Sequence, residues 1–366
     1  MRAKLELLFE DGDTYLGEEM KLFVYQESIS GSASFKLQCT SLQWDLWDKI
    51  IKNDSSKAQL RWGIGDEERT KWSDWKDVYL SNNKLSYRRE AILALAGGID
   101  GGWRLAESFR QKAYLDCKIS DMVNEIASFH KMTPDVEKTE GKFNLWQCHL
   151  SDGKFIQSEL LPRAMGVSGR CDYIYRIKNG NTLVFRAPEY GEANLNYTLA
   201  GLEPSEGPLS FNSVNITSNR MILPAKLGWN TRFIGFDVLL KEPIVFDAND
   251  NTVKYDRLAP EIPKIGKPTA VSSIVEPTSE YYRVASAKSR AKSIWSRNAF
   301  SRFRIQMAPG PNPQAYPGMI VNLNVLDSNG KGHFVGGKYF VYKVKQVILK
   351  GFLTTYLFIE RRTAGS

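Results

Sequence analysis

Three histidines and four cysteines in 366 residues leave little room for the commonest metal and redox chemistry. Cys39, Cys117, Cys148 and Cys171 are widely and irregularly spaced, with no C-x-x-C pair, so they are expected to be free buried thiols. His149 follows Cys148 directly, and adjacent residues rarely chelate one ion. His130 falls near the end of an amphipathic helical pattern, where a hydrogen-bonded or dipole-stabilised ring is expected, and His333 lies in a Gly-rich turn. H-E-x-x-H, G-x-S-x-G and catalytic-Cys signatures are all missing. No catalytic, cofactor or metal residue is therefore assigned. No apolar run reaches the roughly 18–20 residues of a membrane helix. The apolar stretch Leu5–Phe9 is too short for the roughly 7–15 residues of a signal-peptide core, which points to folding in a cytoplasm.

Two other features fall short of the chemistry they suggest. Gly97-Gly98-Ile99-Asp100-Gly101-Gly102 lacks the spacing and the Lys of a phosphate loop and is expected to be a flexible β-connection. The acidic run Asp66-Glu67-Glu68 reads as a solvated turn rather than a spaced catalytic pair.

What is present favours strands. Aromatics make up 12% of the chain, with nine Trp and sixteen Tyr. Strand-like runs occur at Lys21–Glu27, Ser32–Cys39, Ala58–Ile64, Trp75–Leu80 and from Lys84 through Leu95. The pattern changes near residue 117. Ser120 is placed to cap a helix over Asp121–His130, and a second helix is expected over Phe155–Leu161, stopped by Pro162. Tyr173–Ile177 and Thr182–Phe185 flank Asn179-Gly180, a strong hairpin signal. Strands return at Leu209–Ile216 and Arg232–Leu240. Residues 247–277, rich in Asp, Asn, Pro and Lys, read as an exposed excursion. A helix over about residues 280–298 carries the stripe Val284, Ala287, Ala291, Ile294 and Trp295. Met319–Leu326, Tyr339–Leu349 and Phe352–Arg361 close the chain as strands.

The net charge is +8, which modestly favours polyanionic partners. Between Tyr281 and Arg304 there is no acidic residue, against Arg283, Lys288, Arg290, Lys292, Arg297, Arg302 and Arg304. These cations either form a solvated face balanced by acidic loops of the same chain or meet an acidic partner or passing nucleic acid.

The ordered C-terminal motifs carry a resemblance. Pro317-Gly318 precedes a strand; Tyr339-Phe-Val-Tyr-Lys-Val344 and Thr354-Thr-Tyr-Leu-Phe-Ile-Glu-Arg361 follow. Upstream stand Ile119-Ser-Asp-Met-Val-Asn-Glu-Ile-Ala127, then Gly169-Arg-Cys-Asp-Tyr-Ile-Tyr175 and Asn181-Thr-Leu-Val-Phe185. Together they resemble the contractile-tail baseplate central hub family: T-even phage hubs, late-control tail proteins and the matching half of type VI secretion spike proteins. The resemblance implies a mainly β, α+β fold with two tube-like β-barrels, over residues 1–115 and 201–362. A small α+β domain (116–200) stands between them, and the second barrel carries a helix-bearing insertion at about 241–300. It further implies a non-enzymatic homotrimer, a pseudo-sixfold ring between tail-tube protein and central spike protein. Other baseplate proteins and a tape-measure protein would be neighbours, with non-specific DNA passage through the lumen. Such a protein is assembled in the host cytoplasm and ends in the virion. Two further readings stay open: a cell-wall-degrading or glycan-binding tail-tip protein, and a type VI-like injection-system hub.

Overall fold

The structure, a computed structural model, describes residues 2–17, 20–41, 48, 52, 56–66, 69–88, 91–167, 170, 172–188, 194–200, 213–217, 231–237, 242–248, 272–275, 303–326 and 336–361. The first hundred residues give β1 (Arg2–Phe9), β2 (Thr14–Tyr15), β3 (Met20–Ser28), β4 (Ser34–Ser41), β5 (Lys57–Gly65), β6 (Thr70–Trp72), β7 (Lys76–Arg88) and β8 (Ala91–Ile99). Alternation drives them: Leu5, Leu7 and Phe9 of β1 and Phe23 and Tyr25 of β3 turn inward, onto a core that also holds Leu37, Leu60 and Trp62.

The middle unit is mixed. It contains α1 (Trp103–Glu107), β9 (Lys112–Cys117), α2 (Ile119–Phe129), β10 (Thr133–Val136), β11 (Phe143–Gln147), α3 (Asp152–Phe155), β12 (Ile174–Lys178) and β13 (Thr182–Arg186). Met122, Val123, Ile126 and Ala127 of α2 pack on Phe155, Ile156, Phe185 and neighbours in a second core. The helix starts earlier than expected, at Ile119 with Lys118 as its N-cap, and Ser120 lies inside it. The Ser120 N–H is instead taken by the Thr139 hydroxyl at 2.9 Å. The second expected helix is broken up: α3 passes into a π turn over Ile156–Leu160 and a 3-10 turn over Leu161–Arg163 that contains Pro162. Between β12 and β13, Asn179 and Gly180 have φ of 51° and 82°, the left-handed pair of a tight hairpin turn.

The last part holds β14 (Leu195–Ala200), β15 (Ser213–Thr217), β16 (Thr231–Asp237), β17 (Glu242–Ala248), β18 (Ser272–Val275), β19 (Phe303–Ala308), β20 (Ile320–Leu326), β21 (Gly337–Leu349) and β22 (Phe352–Arg361). The expected excursion over 247–277 is not strand-free, since β18 pairs with β16 in parallel. The helix over 280–298 lies outside the described residues.

One 14-stranded sheet runs through both strand-rich parts. Its hinge is β21, thirteen residues long. Ile320–Leu323 pair with its first residues, Gly337–Phe340. Its last residues, Lys343–Leu349, pair with β3. The β21–β22 hairpin thus serves two cores: Val341, Val344, Leu357 and Ile359 fill the third core, while Ile348 and Leu353 fill the first. The mainly β, α+β class expected from the sequence is observed. The tube-like barrels are not seen closed among the described residues. Among the described residues, β1 meets the β21–β22 turn through a backbone hydrogen bond, Ala3 N–H to the Gly351 carbonyl at 2.9 Å.

Candidate functional site

The three parts meet around one buried carboxylate. On β3 the inward alternation Phe23, Tyr25 continues to Glu27, which is only 3% exposed. A carboxylate there must be paired. Lys76, at the start of β7, reaches Glu27 Oε2 at 3.3 Å, and Arg176 of β12 reaches Oε1 at 3.4 Å. The Tyr25 hydroxyl donates to Oε2 at 3.3 Å, and Lys76 also donates to Asn179 Oδ1 at 3.0 Å. Lys76 and Arg176 are themselves buried. The Arg176 guanidinium lies 5.2 Å from the centre of the Tyr316 ring, in the loop before β20. One cluster of charges therefore joins the first and middle parts of the chain, and an aromatic ring of the last part lies against it.

Backbone bonds reinforce the joint. Ser30 N–H donates to Tyr175 O at 2.7 Å, Asp77 N–H to Asn179 O at 3.0 Å, Gly101 N–H to Gly180 O at 2.8 Å, and Ile29 N–H to Tyr342 O at 2.9 Å. Gly180 is required here: a Cβ would stand 1.9 Å from the Asp77 carbonyl oxygen. Gly98 is similarly confined by Phe35 and the Tyr79 carbonyl. The Gly97–Gly102 stretch, expected to be a flexible connection, is in fact packed because its glycines let neighbouring backbone come close. Within it Asp100 is 2% exposed and accepts from Gly102 N–H at 2.9 Å. Burial pushes its carboxyl up to about 7, against backbone hydrogen bonds that pull the other way; nearby Glu27 adds to the rise. Burial, with Glu27 and Asp100 adding to it, also raises the Tyr25 hydroxyl well above its ordinary value.

A second polar knot fixes the middle unit. Asp152, fully buried, accepts from His130 Nε2 at 2.6 Å, Gln147 Nε2 at 2.7 Å and Arg110 Nε at 2.9 Å. Burial alone would raise its pKa; the bonds from His130, Gln147 and Arg110 outweigh that and hold it below the ordinary carboxylate value. His130 caps the end of α2, near where sequence reading placed it, with a buried partner that reading missed. His149 is exposed with φ of 55°, and His333 lies outside the described residues. Among the described residues no group of three or more His, Cys, Asp or Glu is arranged to hold a metal ion. Cys39 is buried as expected, its Sγ 3.2 Å from the Tyr15 hydroxyl; Cys117 and Cys148 are only half-buried, none of the three is in a disulfide, and Cys171 lies outside the described residues.

Of the cationic residues singled out earlier, Arg283, Lys288, Arg290, Lys292, Arg297 and Arg302 lie outside the described residues. Arg304, on β19, pairs with Glu360 of β22 at 3.0 Å and covers the Tyr342 ring at 4.8 Å. The charge joint itself was missed. Its one sequence signal is Glu27 standing in register with Phe23 and Tyr25 on a strand whose odd positions face inward.

No family model matches the sequence, and no curated protein does. Solved structures do match in fold. A tail protein from Neisseria meningitidis superposes with a TM-score of 0.69 at 10% identity, covering 99% of this chain and 97% of that one. The fold is that of phage tail proteins. The 43 kDa tail protein of prophage MuSo2 from Shewanella oneidensis shares the tail-protein fold at 0.63 and 12% identity, over 98% of both chains. A type VI secretion component of E. coli, itself described as similar to T4 bacteriophage tail proteins gp27 and gp5, matches at 0.52 and 10% identity, covering 95% of this chain and 74% of its own. The tail-protein fold agrees with the resemblance carried by the C-terminal motifs, and the first superposition covers 99% of this chain.

Proposed function

We propose that the chain is a structural hub of a phage-tail baseplate, a homotrimer whose pseudo-sixfold ring joins the tail tube to the central spike and lets DNA pass. The observation that carries this reading is whole-chain likeness to two tail proteins, at 97% and 98% coverage of those chains. The architecture supports it physically. A ring subunit transmits load from tube to spike and needs its strand-rich parts to move as one. A sheet shared by the first and last parts through β21 and a joint of buried charge between the first and middle parts provide that stiffness. Pairing with neighbouring copies would cover the remaining sheet edges.

In this reading the tail-tube protein, the central spike protein, other baseplate proteins and the tape-measure protein are the partners, and the virion is the destination. The stretch carrying Arg283, Lys288, Arg290, Lys292, Arg297 and Arg302 faces an acidic partner surface or the passing DNA. A second reading, the hub of a type VI-like injection system, is favoured by the E. coli neighbour but has the lower structural similarity. Native mass spectrometry and negative-stain imaging of the purified protein, alone and with tube and spike proteins, test the proposal. A trimer with a central opening is expected; a monomer under all these conditions refutes it.

A further inference from the structure

Beside the charge joint lies a cleft of about 220 Å³, lined among others by Asp74, Lys76, Arg176, Lys178, Asn179 and Tyr316. Lys76 and Arg176, each more than nine-tenths buried, both line it; both pair with the carboxylate of Glu27, and buried Asp100 lies close enough to act on Lys76. Both contacts to Glu27 are long, at 3.3 and 3.4 Å; a well-made charge-assisted hydrogen bond is about 2.7–2.9 Å. Arg176 gives one of its N–H groups to Glu27 and Lys76 gives two, to Glu27 and Asn179, so most of the donor capacity of the two side chains is unspent. Lys178, exposed, adds a third cation, and the Tyr316 ring centre lies 5.2 Å from the Arg176 guanidinium. Asp74, exposed, is the one carboxylate in the lining. The lining comes from β7, the β12–β13 hairpin and the loop before β20, in the first, middle and last parts of the chain.

We infer that this cleft binds a small oxyanion, a phosphate or carboxylate group, held by Arg176, Lys76 and Lys178, and that the bound anion tightens the joint. The inference is independent of the assembly reading. A buried planar guanidinium with unspent N–H groups is suited to bidentate recognition of an oxyanion. A ligand bound only by the folded chain raises its unfolding temperature by mass action.

The test is titration of the full chain with inorganic phosphate, and separately with acetate, at constant ionic strength. Binding is followed by calorimetry and stability by thermal unfolding. One saturable site per chain and a rising unfolding temperature are expected. Tighter binding of phosphate identifies the natural group as a phosphate, tighter binding of acetate as a carboxylate. Arg176→Met is expected to weaken binding about tenfold, the loss of one charge-assisted contact. Because Arg176 is buried and its loss endangers the fold, Lys178→Gln, at an exposed position, is the companion variant, with binding weakened about threefold. No saturable binding by the unaltered protein overturns the inference. So does binding that Lys178→Gln and a folded Arg176→Met both leave unchanged.

Discussion

Ile348 stands directly opposite Phe23 in the ladder between β21 and β3, and both side chains are fully buried in the same core. The pair joins the last hairpin of the chain to one of its first strands. Ile348→Ala is therefore expected to destabilise the first strand-rich part, by about 2–5 kcal/mol, although the residue belongs to the C-terminal hairpin. Denaturant unfolding should show one cooperative transition shifted as a whole. Its neighbour Leu349, half exposed, should cost less than about 0.5 kcal/mol on the same change.

The charge joint predicts an asymmetric response to substitution. Removing Glu27 leaves Lys76 and Arg176 buried with no carboxylate between them, and Glu27→Gln should lower stability by about 3 kcal/mol. Lys112→Ala is the contrast. Its pair with Glu125 is 39% and 43% exposed on the two sides, so the loss should stay below about 1 kcal/mol. Chemical denaturation of the two variants side by side measures the difference.

Gly180 predicts a backbone effect. With φ at 82° and no room for a Cβ beside Asp77 O, Gly180→Ala should cost at least the roughly 1–2 kcal/mol of a left-handed non-glycine residue. It should also part the β12–β13 turn from β7. A lowered unfolding temperature, with hydrogen exchange accelerated at Asp77, whose N–H donates to Asn179 O, checks this.

Two buried carboxyls give opposite pH dependence. Asp100 has its folded pKa raised to about 7 from 3.8, so it favours the folded state most below pH 3.8 and loses that contribution as pH climbs to 7. The slope is at most about 1.4 kcal/mol per pH unit. Asp100→Asn, which keeps an acceptor for Gly102 N–H, should flatten the profile between pH 4 and 7 and stabilise the protein at pH 8. Asp152, held below its ordinary value, contributes above pH 3.8 and is lost as the solution becomes more acid. Asp152→Asn should therefore weaken the protein at pH 7 and remove part of its acid sensitivity. Unfolding curves from pH 3 to 8 separate the two.

Much of the fold was legible where the signal is local. Asn179-Gly180 announced its hairpin through the positive φ both residues adopt, and Lys350-Gly351 does the same between β21 and β22, with φ of 52° and 79°. The apolar stripe of α2 located that helix, although its start was misplaced because the group satisfying the Ser120 N–H, Thr139, lies 19 residues away. The joint was not legible for the same reason on a larger scale. Glu27 and Arg176 are 149 residues apart, and Lys76 and Asn179 are 103 apart. Nothing in the spacing of either pair says that folding will bring them together. Gly97–Gly102 was misread because glycines that permit a flexible connection also permit close packing, and only the neighbours Phe35, Tyr79 and Gly180 decide between the two.

The account rests on a subunit stiff enough to build a ring. Imaging the purified 41.5 kDa chain by cryo-electron microscopy, alone and with tube and spike proteins, tests this most directly. The account predicts three copies forming six lobes around an open centre. A particle containing one copy in every condition, or a closed body with no passage, would contradict it.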